Sequence, residues 1–275
     1  MNNIKVYLIC IAKQENLYIK EFIEHYKQLN IDKIILYDNN DINGEQFEDV
    51  INNYIQNGFV EIINIRGITG KYHNKFLQDY IYLEAYNKYS NECDWMCFFD
   101  IDEFLILDEK YHSIQDFVSD EIFNDYNSIK VVWKLFDDNN LIHYENKPLI
   151  KRFTTISFKN DNEVKTIIRT KLYIRAINCH GKTIPLLTCC NTNGEPIVYL
   201  NERHGNIINL PSYKNAWLNH YRLKTLDEFL NIRSKRGDLG GDAAKQKLTL
   251  DYFFAFNKKT PEKMAYLKSI GIDYE

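Results

Sequence analysis

The sequence lacks the features of several specialised classes of protein. It has only 11 Gly and 5 Pro among its 275 residues, which excludes collagen-like and low-complexity chains. Its 34 Lys and Arg are outnumbered by 38 Asp and Glu, so the formal charge is −4. A protein that binds nucleic acid through the phosphate backbone needs a cationic surplus to displace counterions. The charge balance therefore argues against nucleic acid as a partner.

Long apolar runs and cysteine frameworks are also missing. The apolar stretch near the N-terminus covers residues 6–12, whereas a membrane span needs roughly 18–20 apolar residues. No small-residue cleavage pattern follows that stretch, as it would in a secretory signal. The six cysteines have neither the paired spacing of a zinc site nor that of a disulfide framework, and Cys189 and Cys190 are adjacent. We expect reduced thiols in a soluble, cytoplasmic protein.

Aromatic residues are abundant. The chain contains 20 Tyr, 16 Phe and 3 Trp, within a composition that is 45% hydrophobic and 26% charged. Such a composition is typical of a folded globular protein. A Tyr ring with its hydroxyl suits polar, ring-shaped ligands, but packing in the core is the first expectation for any single Tyr.

The first hundred residues alternate between β-rich and amphipathic segments. We expect strands over 4–12, 33–38, 59–65 and 94–99, separated by helices over 16–30, 45–57 and about 73–89. Strands separated by helices of this length pair in parallel through right-handed crossovers. The pattern predicts an open α/β sheet.

The second half has fewer helices. We expect strands over 128–136, 149–158, 164–176 and 197–200, and capping signals predict helices that begin after Ser113, Thr225 and Thr260. No Pro- or Gly-rich linker interrupts the chain. We therefore predict a single domain over 1–275, with a nucleotide-binding half over 1–105, a second half over 106–240 and a helical tail over 241–275.

Polar residues follow four of the predicted strands. In open α/β sheets, ligands gather at the carboxyl ends of the strands. The pattern is sharpest after 94–99, where Asp100 and Asp102 are two residues apart and Glu103 follows. Strand alternation aims the first two carboxylates to one side, and a divalent cation relieves their repulsion. The sequence favours a Mg²⁺ or Mn²⁺ site here over a solvated loop.

A D-x-D motif alone does not identify an enzyme class, because phosphatases of the haloacid dehalogenase type also have one. In those enzymes the motif usually follows the first strand, and Thr or Val stands two residues after the second Asp. Here some 99 residues precede the motif and Phe104 occupies that position. The phosphatase hypothesis is therefore the weaker one.

Several blocks of sequence together resemble a known family. They are IAKQEN (11–16), IKEFIEH (19–25), ILYDN (35–39), WMCFFDIDEFL (95–105), VWKLF (132–136), LNHYRLKT (218–225), EF (228–229) and KRG (235–237). In this order they are similar to glycosyltransferase family 92 and its bacterial relatives related to family 2. The resemblance implies a GT-A fold, which is a Rossmann-like open mixed sheet flanked by helices, here with a C-terminal helical extension.

The resemblance also implies a function. We expect a metal-dependent, inverting glycosyltransferase that moves a sugar, most readily galactose, from a UDP-sugar to a glycan acceptor in surface polysaccharide or glycolipid synthesis. A lipid-linked acceptor would place the protein peripherally at the inner membrane face, where Phe253, Phe254 and Phe256 of the tail are candidates for docking, although a packing helix is the favoured interpretation. The alternative from another class is a non-catalytic protein that binds nucleotide sugars or glycans.

Site residues follow from position in the predicted fold together with this resemblance, which does not itself indicate the catalytic base. The expected ligands of Mn²⁺ or Mg²⁺ are Asp100, Asp102 and His220. The expected donor-binding residues are Glu15, Asn16, Asp38, Asn39, Lys75, Gln78, Asp100, Arg222 and Lys224. The candidates for the catalytic base are Asp138, Glu103 and Asp137. The chain departs from the family at 137–140, where Asp-Asp-Asn-Asn replaces Gly and Ser, and at 179–181, where a His cluster is reduced to Cys-His-Gly. Both departures lie on the acceptor side, so the acceptor is not carried over.

Overall fold

A computed structural model describes residues 4–68, 71–72, 75–159, 163–181, 183, 185, 187–197, 212–236 and 248–274, without the side chains of 71, 72 and 75. Two compact units divide the chain. Unit 1 consists of Met1–Trp133 and Asn162–Asn219, and unit 2 consists of Lys134–Asp161 and His220–Glu275. Both units are thus built from two separate stretches of sequence.

Nine of the described strands form one mixed sheet. In chain order the strands are β1 (Val6–Ala12), β2 (Lys33–Asp38), β3 (Val60–Asn64), β4 (Lys71–Tyr72), β5 (Lys75–Phe76), β6 (Trp95–Phe98), β7 (Glu103–Leu107), β8 (Ser128–Leu135), β9 (Val164–Arg169), β10 (Cys189–Asn191) and β11 (Ala216–His220). The sheet order is β3-β2-β1-β6-β9-β8-β11-β7, with β10 beside β8, while β4 and β5 form a separate pair.

The predicted parallel part of the sheet is confirmed. Strand β1 pairs in parallel with both β2 and β6, and β2 pairs in parallel with β3. Most of β1 is buried, as expected of an apolar strand covered on both faces. The register sets Ala12 opposite Asp38 and Asp38 opposite Asn64. The carboxyl ends of three strands therefore meet at one edge of the sheet.

An antiparallel part continues the sheet. Strand β9 runs antiparallel to β6 and to β8, and Thr166 lies opposite Phe98. Lys165, one residue earlier in β9, consequently lies beside the segment that follows β6. The expected strand over 164–176 ends at Arg169, so its second half was wrongly assigned. With helices on an open mixed sheet, the predicted fold class is confirmed.

Helices occupy most of the expected positions. They are α1 (Ile19–Gln28), α2 (Glu48–Gln56), α3 (Leu77–Tyr89), α4 (Ile114–Val118), α5 (Leu149–Arg152), α6 (Leu226–Glu228), α7 (Ser234–Arg236), α8 (Leu250–Phe254) and α9 (Pro261–Ser269), with a 3₁₀ turn over Glu121–Phe123 and a π-helical turn over Phe229–Arg233. The predicted caps are present: Ser113 and Thr260 accept backbone N–H bonds at the starts of α4 and α9, and Thr225 forms a capping box with Glu228.

The strand predicted over 149–158 is wrong: α5 forms at its start, and the remainder contributes only an isolated bridge between Ile156 and Phe136. Leu149, Arg152 and Phe153 are all buried, and their spacing of three and four residues is that of one helix face. The sequence does not reveal this spacing, because Arg is a residue type that is mostly exposed in proteins. Its guanidinium is instead held by both carboxylate oxygens of Glu228, at 2.7 and 3.0 Å.

The aromatic residues of the tail pack inside unit 2. Phe253, Phe254 and Phe256 are 0, 8 and 5% exposed, and the ring centroids of Phe229 and Phe253 are 5.0 Å apart. The packing interpretation of the tail is therefore confirmed, and these rings do not form an exposed docking surface. None of the described helices combines the length and apolar character needed to cross a membrane.

The thiols match the prediction. All six cysteines lie within the described ranges, and each is buried and free of disulfide bonds. Burial raises the pKa of Cys179 to about 12 and that of Cys190 to about 12. Cys179 and Cys190 therefore behave as small apolar side chains that do not ionise near neutral pH.

Candidate functional site

The D-x-D motif forms a tight turn between β6 and β7. The N–H of Glu103 donates to the carbonyl oxygen of Asp100 at 3.0 Å, and the Glu103 carboxylate accepts the N–H of Asp100 at 2.9 Å. Strand alternation does not apply here, because β6 ends at Phe98. Asp100 keeps 35% of its side chain exposed, whereas Asp102 is 4% exposed. Asp100 is thus the most accessible carboxylate of the turn.

A buried lysine neutralises this turn. Lys165 Nζ lies 2.7 Å from Asp100 Oδ2 and 3.5 Å from Glu103 Oε2, and the side chains of Lys165 and Glu103 are fully buried. Burial alone would lower the pKa of Lys165, but Asp100, Cys179 and Glu103 together hold it well above its usual value. The ammonium therefore stays charged and offsets part of the repulsion within the turn.

A second contact reaches Asp100 from α3. The Tyr82 hydroxyl lies 3.5 Å from Asp100 Oδ1, and Gln78 Nε2 donates to the Tyr82 hydroxyl at 3.2 Å. The expected donor-binding residue Gln78 thus lies one side chain away from the D-x-D turn. The side chain of Lys75, the other candidate from this stretch, lies outside the described residues.

The chemistry of the turn suits a hard divalent cation only in part. Among the described residues, no group of three or more His, Cys, Asp or Glu side chains is arranged to hold a metal ion. Mg²⁺, however, is commonly held by one or two carboxylates together with substrate phosphates. Asp100 and Asp102 are the two carboxylates of the turn that such a site would use, and of these Asp100 is the accessible one.

The ends of β1, β2 and β3 are joined through Asn40. Its side-chain oxygen accepts the N–H of Gln14 at 2.8 Å, and its carbonyl oxygen accepts the N–H of Gly67 at 2.9 Å. Gly67 has φ +74°, and a Cβ there would lie 3.0 Å from Ile42 Cγ1, so both backbone and space require glycine. Residues after all three strands are thereby fixed at one edge.

The expected donor-binding residues Asp38 and Asn39 belong to this edge. Asp38 Oδ2 accepts from Arg66 Nε at 2.6 Å, and Asp38 Oδ1 accepts the N–H of Asn40 at 2.9 Å. Asn39 Nδ2 donates to the carbonyl oxygens of Ile65 and Ile68, at 3.2 and 2.8 Å. Both side chains hold the loop after β3 in place.

The remaining two candidates lie after β1. Glu15 is 3% exposed, and its carbonyl oxygen accepts the N–H groups of Tyr18 and Ile19, both at 2.9 Å, where α1 begins. The backbone N–H of Asn16 donates to Glu45 Oε1 at 2.9 Å, and Asn16 Nδ2 donates to the carbonyl oxygen of Gln46 at 3.0 Å. Unit 1 thus collects four of the predicted donor-binding residues at the ends of β1 and β2.

Within unit 2, Asp138 forms a buried ion pair. Its Oδ2 lies 2.5 Å from Lys263 Nζ, and the two side chains are 1 and 0% exposed. The N–H of Asp138 donates to Asn257 Oδ1 at 2.8 Å. Burial raises the pKa of Asp138, and Lys263 opposes that rise. This candidate base therefore links the loop after β8 to the helical tail.

The loop over 137–140 has an unusual backbone. Asn139 and Asn140 both adopt the left-handed conformation, with φ of 50° and 59°, which Asn tolerates better than most residues. The side-chain oxygen of Asp137, which is 9% exposed, accepts the N–H of Asn139 at 2.8 Å. The Asp-Asn pattern that departs from the family thus stabilises its own turn.

The other candidates in unit 2 are His220, Arg222 and Lys224. His220 is 4% exposed at the end of β11, and its carbonyl oxygen accepts the N–H of Phe136 at 3.2 Å. The Arg222 guanidinium lies 4.4 Å from the ring centroid of Phe256. Lys224 has φ +60° and is 8% exposed. Their proposed contacts with metal and diphosphate stay predictions.

The sequence profile of glycosyltransferase family 92 matches residues 5–184. That range is well over half of the chain and includes β1 to β9 with the D-x-D turn. The protein belongs to glycosyltransferase family 92. A search of curated proteins finds no match.

Solved structures with similar folds match this family 92 chain only partly. A Staphylococcus aureus TarS fragment (1–349) in complex with UDP-GlcNAc is 13% identical, with a TM-score of 0.35 over 52% of this chain and 37% of that one. A mannosyltransferase, PcManGT from Pyrobaculum calidifontis, in complex with GDP-Man and Mn²⁺, is 9% identical, with a TM-score of 0.32 over 47% and 36%. The chain spans less than half the length of these proteins.

Sequence reasoning missed three lysines of this family 92 protein: Lys130, Lys165 and Lys263. Each is 1% exposed or less; Lys130 and Lys165 lie in the apolar strands β8 and β9, whereas Lys263 lies in α9, where only Leu267 is also buried. For Lys165 the sequence did offer a signal, because this lysine lies within the apolar strand VKTIIR. A lysine buried in such a strand requires a partner inside the protein.

Lys130 gives a test of these assignments. Within the described part of the chain, its Nζ donates to two uncharged acceptors, Thr166 Oγ1 and the carbonyl oxygen of Gly181, both at 2.6 Å. Burial lowers its pKa from 10.5 to about 8. Between these values the unfolded chain binds more protons than the folded one, so this lysine makes stability rise with pH.

We expect the free energy of unfolding of the wild type, relative to Lys130→Met, to rise by about 3 kcal/mol between pH 8 and 10.5. Below pH 8 the difference should be flat, because the lysine is then charged in both states. Urea unfolding of both proteins across this range measures it, and the subtraction removes the contribution of other titrating groups. A difference that stays constant above pH 8 would contradict the lowered pKa.

Proposed function

We propose that this protein is a metal-dependent, inverting glycosyltransferase that uses a UDP-sugar as donor. The observation that carries the proposal is the D-x-D turn, where the partly exposed Asp100 carboxylate and the nearby Asp102 lie at the carboxyl end of a parallel strand. Ligands of open α/β sheets bind at such strand ends. Because the chain belongs to glycosyltransferase family 92, the reaction class that we propose is glycosyl transfer.

The proposed roles follow from position. Asp100 and Asp102 would hold Mn²⁺ or Mg²⁺ against the donor diphosphate, and the cation would supply charge stabilisation to the departing diphosphate. Lys165 orients Asp100 through its 2.7 Å contact. The residues at the ends of β1 and β2, Glu15, Asn16, Asp38 and Asn39, are proposed to line the nucleoside side. Arg222, Lys224 and His220 remain proposals from the family resemblance.

The catalytic base stays open among Asp138, Asp137 and Glu103. The base must accept the proton of the acceptor hydroxyl while that oxygen attacks the anomeric carbon. In the structure, Glu103 is paired with Lys165 and Asp138 with Lys263. A carboxylate in such a pair would have to exchange its partner for substrate, whereas Asp137 accepts the N–H of Asn139 and, within the described part of the chain, forms no ion pair.

The proposed function is tested with Mn²⁺ and a panel of UDP- and GDP-sugars. We expect at least one nucleotide sugar to raise the melting temperature, because a ligand that binds the folded state stabilises it. The same compound should be hydrolysed or transferred. Asp100→Asn should lower turnover by about 100-fold or more, whereas Asp125→Asn, an exposed acidic residue of unit 1, should not.

The outcomes separate the competing functions. Tight binding of a nucleotide sugar without turnover of any donor would favour the non-catalytic binding protein. Turnover of phosphomonoesters without an acceptor would favour the phosphatase. Activity of Asp100→Asn equal to that of the wild type would remove Asp100 from the proposed site.

Galactose as the transferred sugar and a glycan or lipid-linked glycan as acceptor are the finer part of the proposal. UDP-galactose should give the largest thermal shift of the panel. Proton NMR of the first product formed should show the opposite anomeric configuration to that of the donor. Retention at the anomeric carbon would contradict the inverting mechanism.

A further inference from the structure

Two side chains of α1 bind the backbone of β7, the strand that follows the D-x-D turn. The Tyr26 hydroxyl donates to the carbonyl oxygen of Glu103 at 2.8 Å and accepts the N–H of Leu105 at 3.1 Å. His25 Nε2 lies 2.8 Å from the carbonyl oxygen of Leu105, and because a carbonyl oxygen only accepts, Nε2 is the donor. Three successive backbone groups of β7 are therefore bound by one helix.

These three groups belong to one edge of β7. In a strand, the N–H and carbonyl of a residue point to the same side, and the residue two positions on repeats that direction. Strand β7 is the last in the order of the described sheet, with β11 beside it. Tyr26 and His25 thus bind the strand where a further strand would otherwise pair with it.

The Tyr26 hydroxyl lies in the interior of unit 1. Tyr26 is 0% exposed, and its ring centroid lies 4.7 Å from that of Phe22 and 6.0 Å from that of Phe99, which directly precedes Asp100. Water does not reach this position to replace the hydroxyl. Without the hydroxyl, the backbone groups of Glu103 and Leu105 would lose a partner that they need in the interior.

Glu103 connects Tyr26 to the two aspartates. The residue whose carbonyl oxygen Tyr26 binds also closes the turn, since its N–H donates to the Asp100 carbonyl oxygen and its carboxylate accepts the Asp100 N–H. Asp102 directly precedes Glu103 in the chain. The backbone on which both aspartates lie is therefore held from α1, whereas the Asp100 carboxylate is held by Lys165 from β9.

The same helix begins at the other part of the proposed donor site. The carbonyl oxygen of Glu15 accepts the N–H groups of Tyr18 and Ile19 at the start of α1. The helix has 10 residues and is about 15 Å long at 1.5 Å per residue. One short, internally hydrogen-bonded element thus contacts both the loop after β1 and the strand after the D-x-D turn.

We propose that Tyr26 is a positioning residue that sets the D-x-D turn at a fixed distance from the ends of β1 and β2. The turn and the strand ends can then bind the metal ion and the nucleoside of one nucleoside diphosphate at the same time. This inference rests on the proposed glycosyltransferase function. Tyr26 acts through Glu103, and its buried ring touches neither ligand.

The expected signature is a coupling between two ligands. Isothermal titration calorimetry gives the Kd of UDP with and without Mn²⁺, and the ratio of the two values measures how far each ligand strengthens the other. In Tyr26→Phe we expect this ratio to fall by about tenfold, the loss typical when a residue that orients a metal ligand is removed. The Kd of UDP without Mn²⁺ should be unchanged, because the strand ends keep their contacts.

Tyr86→Phe is the matched control. Tyr86 of α3 is 1% exposed, and its hydroxyl also accepts one backbone N–H, from Leu172 at 3.0 Å, and lies 3.3 Å from a backbone carbonyl oxygen, that of Arg169. Arg169 lies opposite Trp95, at the far end of β6 from the D-x-D turn. Both variants should lose a similar number of degrees in melting temperature, but Tyr86→Phe should keep the wild-type ratio.

His25→Phe tests the same edge of β7 independently. It keeps an aromatic ring beside Phe104, 5.1 Å from the imidazole in the wild type, but removes the donor to the Leu105 carbonyl oxygen. We expect a smaller fall in the ratio than in Tyr26→Phe, because Glu103 keeps its bond to Tyr26. If Tyr26→Phe melts below the assay temperature, the ratio in His25→Phe decides.

Two results would overturn the inference. One is a wild-type ratio in Tyr26→Phe and His25→Phe, which would show that the turn keeps its position without α1. The other is an equal fall of the ratio in Tyr86→Phe, which would trace the effect to stability alone. A wild type in which Mn²⁺ does not strengthen UDP binding refutes the metal-dependent donor site of the proposed function, and this measurement precedes the variants. If a GDP-sugar gives the largest thermal shift, GDP replaces UDP.

Discussion

Lys165→Met is expected to lower the free energy of unfolding of unit 1 by about 3–5 kcal/mol. The ammonium is fully buried between Asp100 and Glu103. Its removal leaves the Glu103 carboxylate in the interior without the cation that offsets its charge. An unpaired buried charge destabilises the folded state by far more than the intact ion pair stabilises it. Urea unfolding followed by tryptophan fluorescence measures the change, since Trp95 and Trp133 both belong to unit 1.

The control is the double variant Lys165→Met with Glu103→Gln. Gln keeps the shape of Glu103 and can still accept the N–H of Asp100, but it carries no charge. We expect the double variant to recover at least half of the lost stability, because no buried carboxylate is then left uncompensated. Glu103→Gln alone completes the comparison. If the loss of stability in the double variant equals the sum of the losses in the two single variants, Lys165 and Glu103 do not interact as their 3.5 Å separation indicates.

Asp138→Asn is expected to destabilise unit 2 by a similar amount, about 3–5 kcal/mol. It leaves the Lys263 ammonium, which is fully buried, with the carbonyl oxygen of Lys258 as an acceptor at 2.9 Å but without its carboxylate. Tryptophan fluorescence does not report on unit 2, because Trp95, Trp133 and Trp217 all belong to unit 1. Hydrogen exchange of the amides in α9 measures the loss directly.

The matched control, Asp138→Asn with Lys263→Met, also decides whether Asp138 is the catalytic base. Removing both charges should restore most of the stability, since neither group is left alone in the interior. If Asp138 is the base, the restored protein is inactive with a UDP-sugar and acceptor. If its carboxylate serves only the ion pair, activity returns with stability. A double variant that is no more stable than Asp138→Asn would contradict the pairing.

The parallel part of the fold was predictable because it depends on local periodicity. Strand β1 is a continuous apolar run and α1 has one apolar face, so their types follow from residues close in sequence. The strand predicted over 149–158 was wrong because the structure of this segment depends on a contact between residues far apart in sequence. The burial of Arg152 depends on Glu228, 76 residues away, and no local pattern contains that information.

The same distinction between local patterns and long-range contacts applies to the candidate site. The D-x-D turn and the polar residues after β1 and β2 were found because strand ends are recognisable in sequence. Lys165 was not found, because its role depends on the antiparallel register that sets β9 beside β6. Tyr26 was not found either, because its contact with Glu103 joins residues that are 77 positions apart.

The Asp138–Asn257 hydrogen bond connects residues that are 119 positions apart, which affects the order of events during synthesis. At roughly 5–20 residues per second, Asp138 is made many seconds before Asn257 and Lys263. Until then its carboxylate has the nearby N–H of Asn140 and water but not the Lys263 ammonium, so the loop after β8 cannot close in its final form. Unit 1 has no such delay at the ends of β1 to β3, because the side-chain oxygen of Asn40 accepts the N–H of Gln14, which is only 26 positions earlier in the chain. The edge that includes Asp38 can therefore form while unit 2 still awaits its last helix.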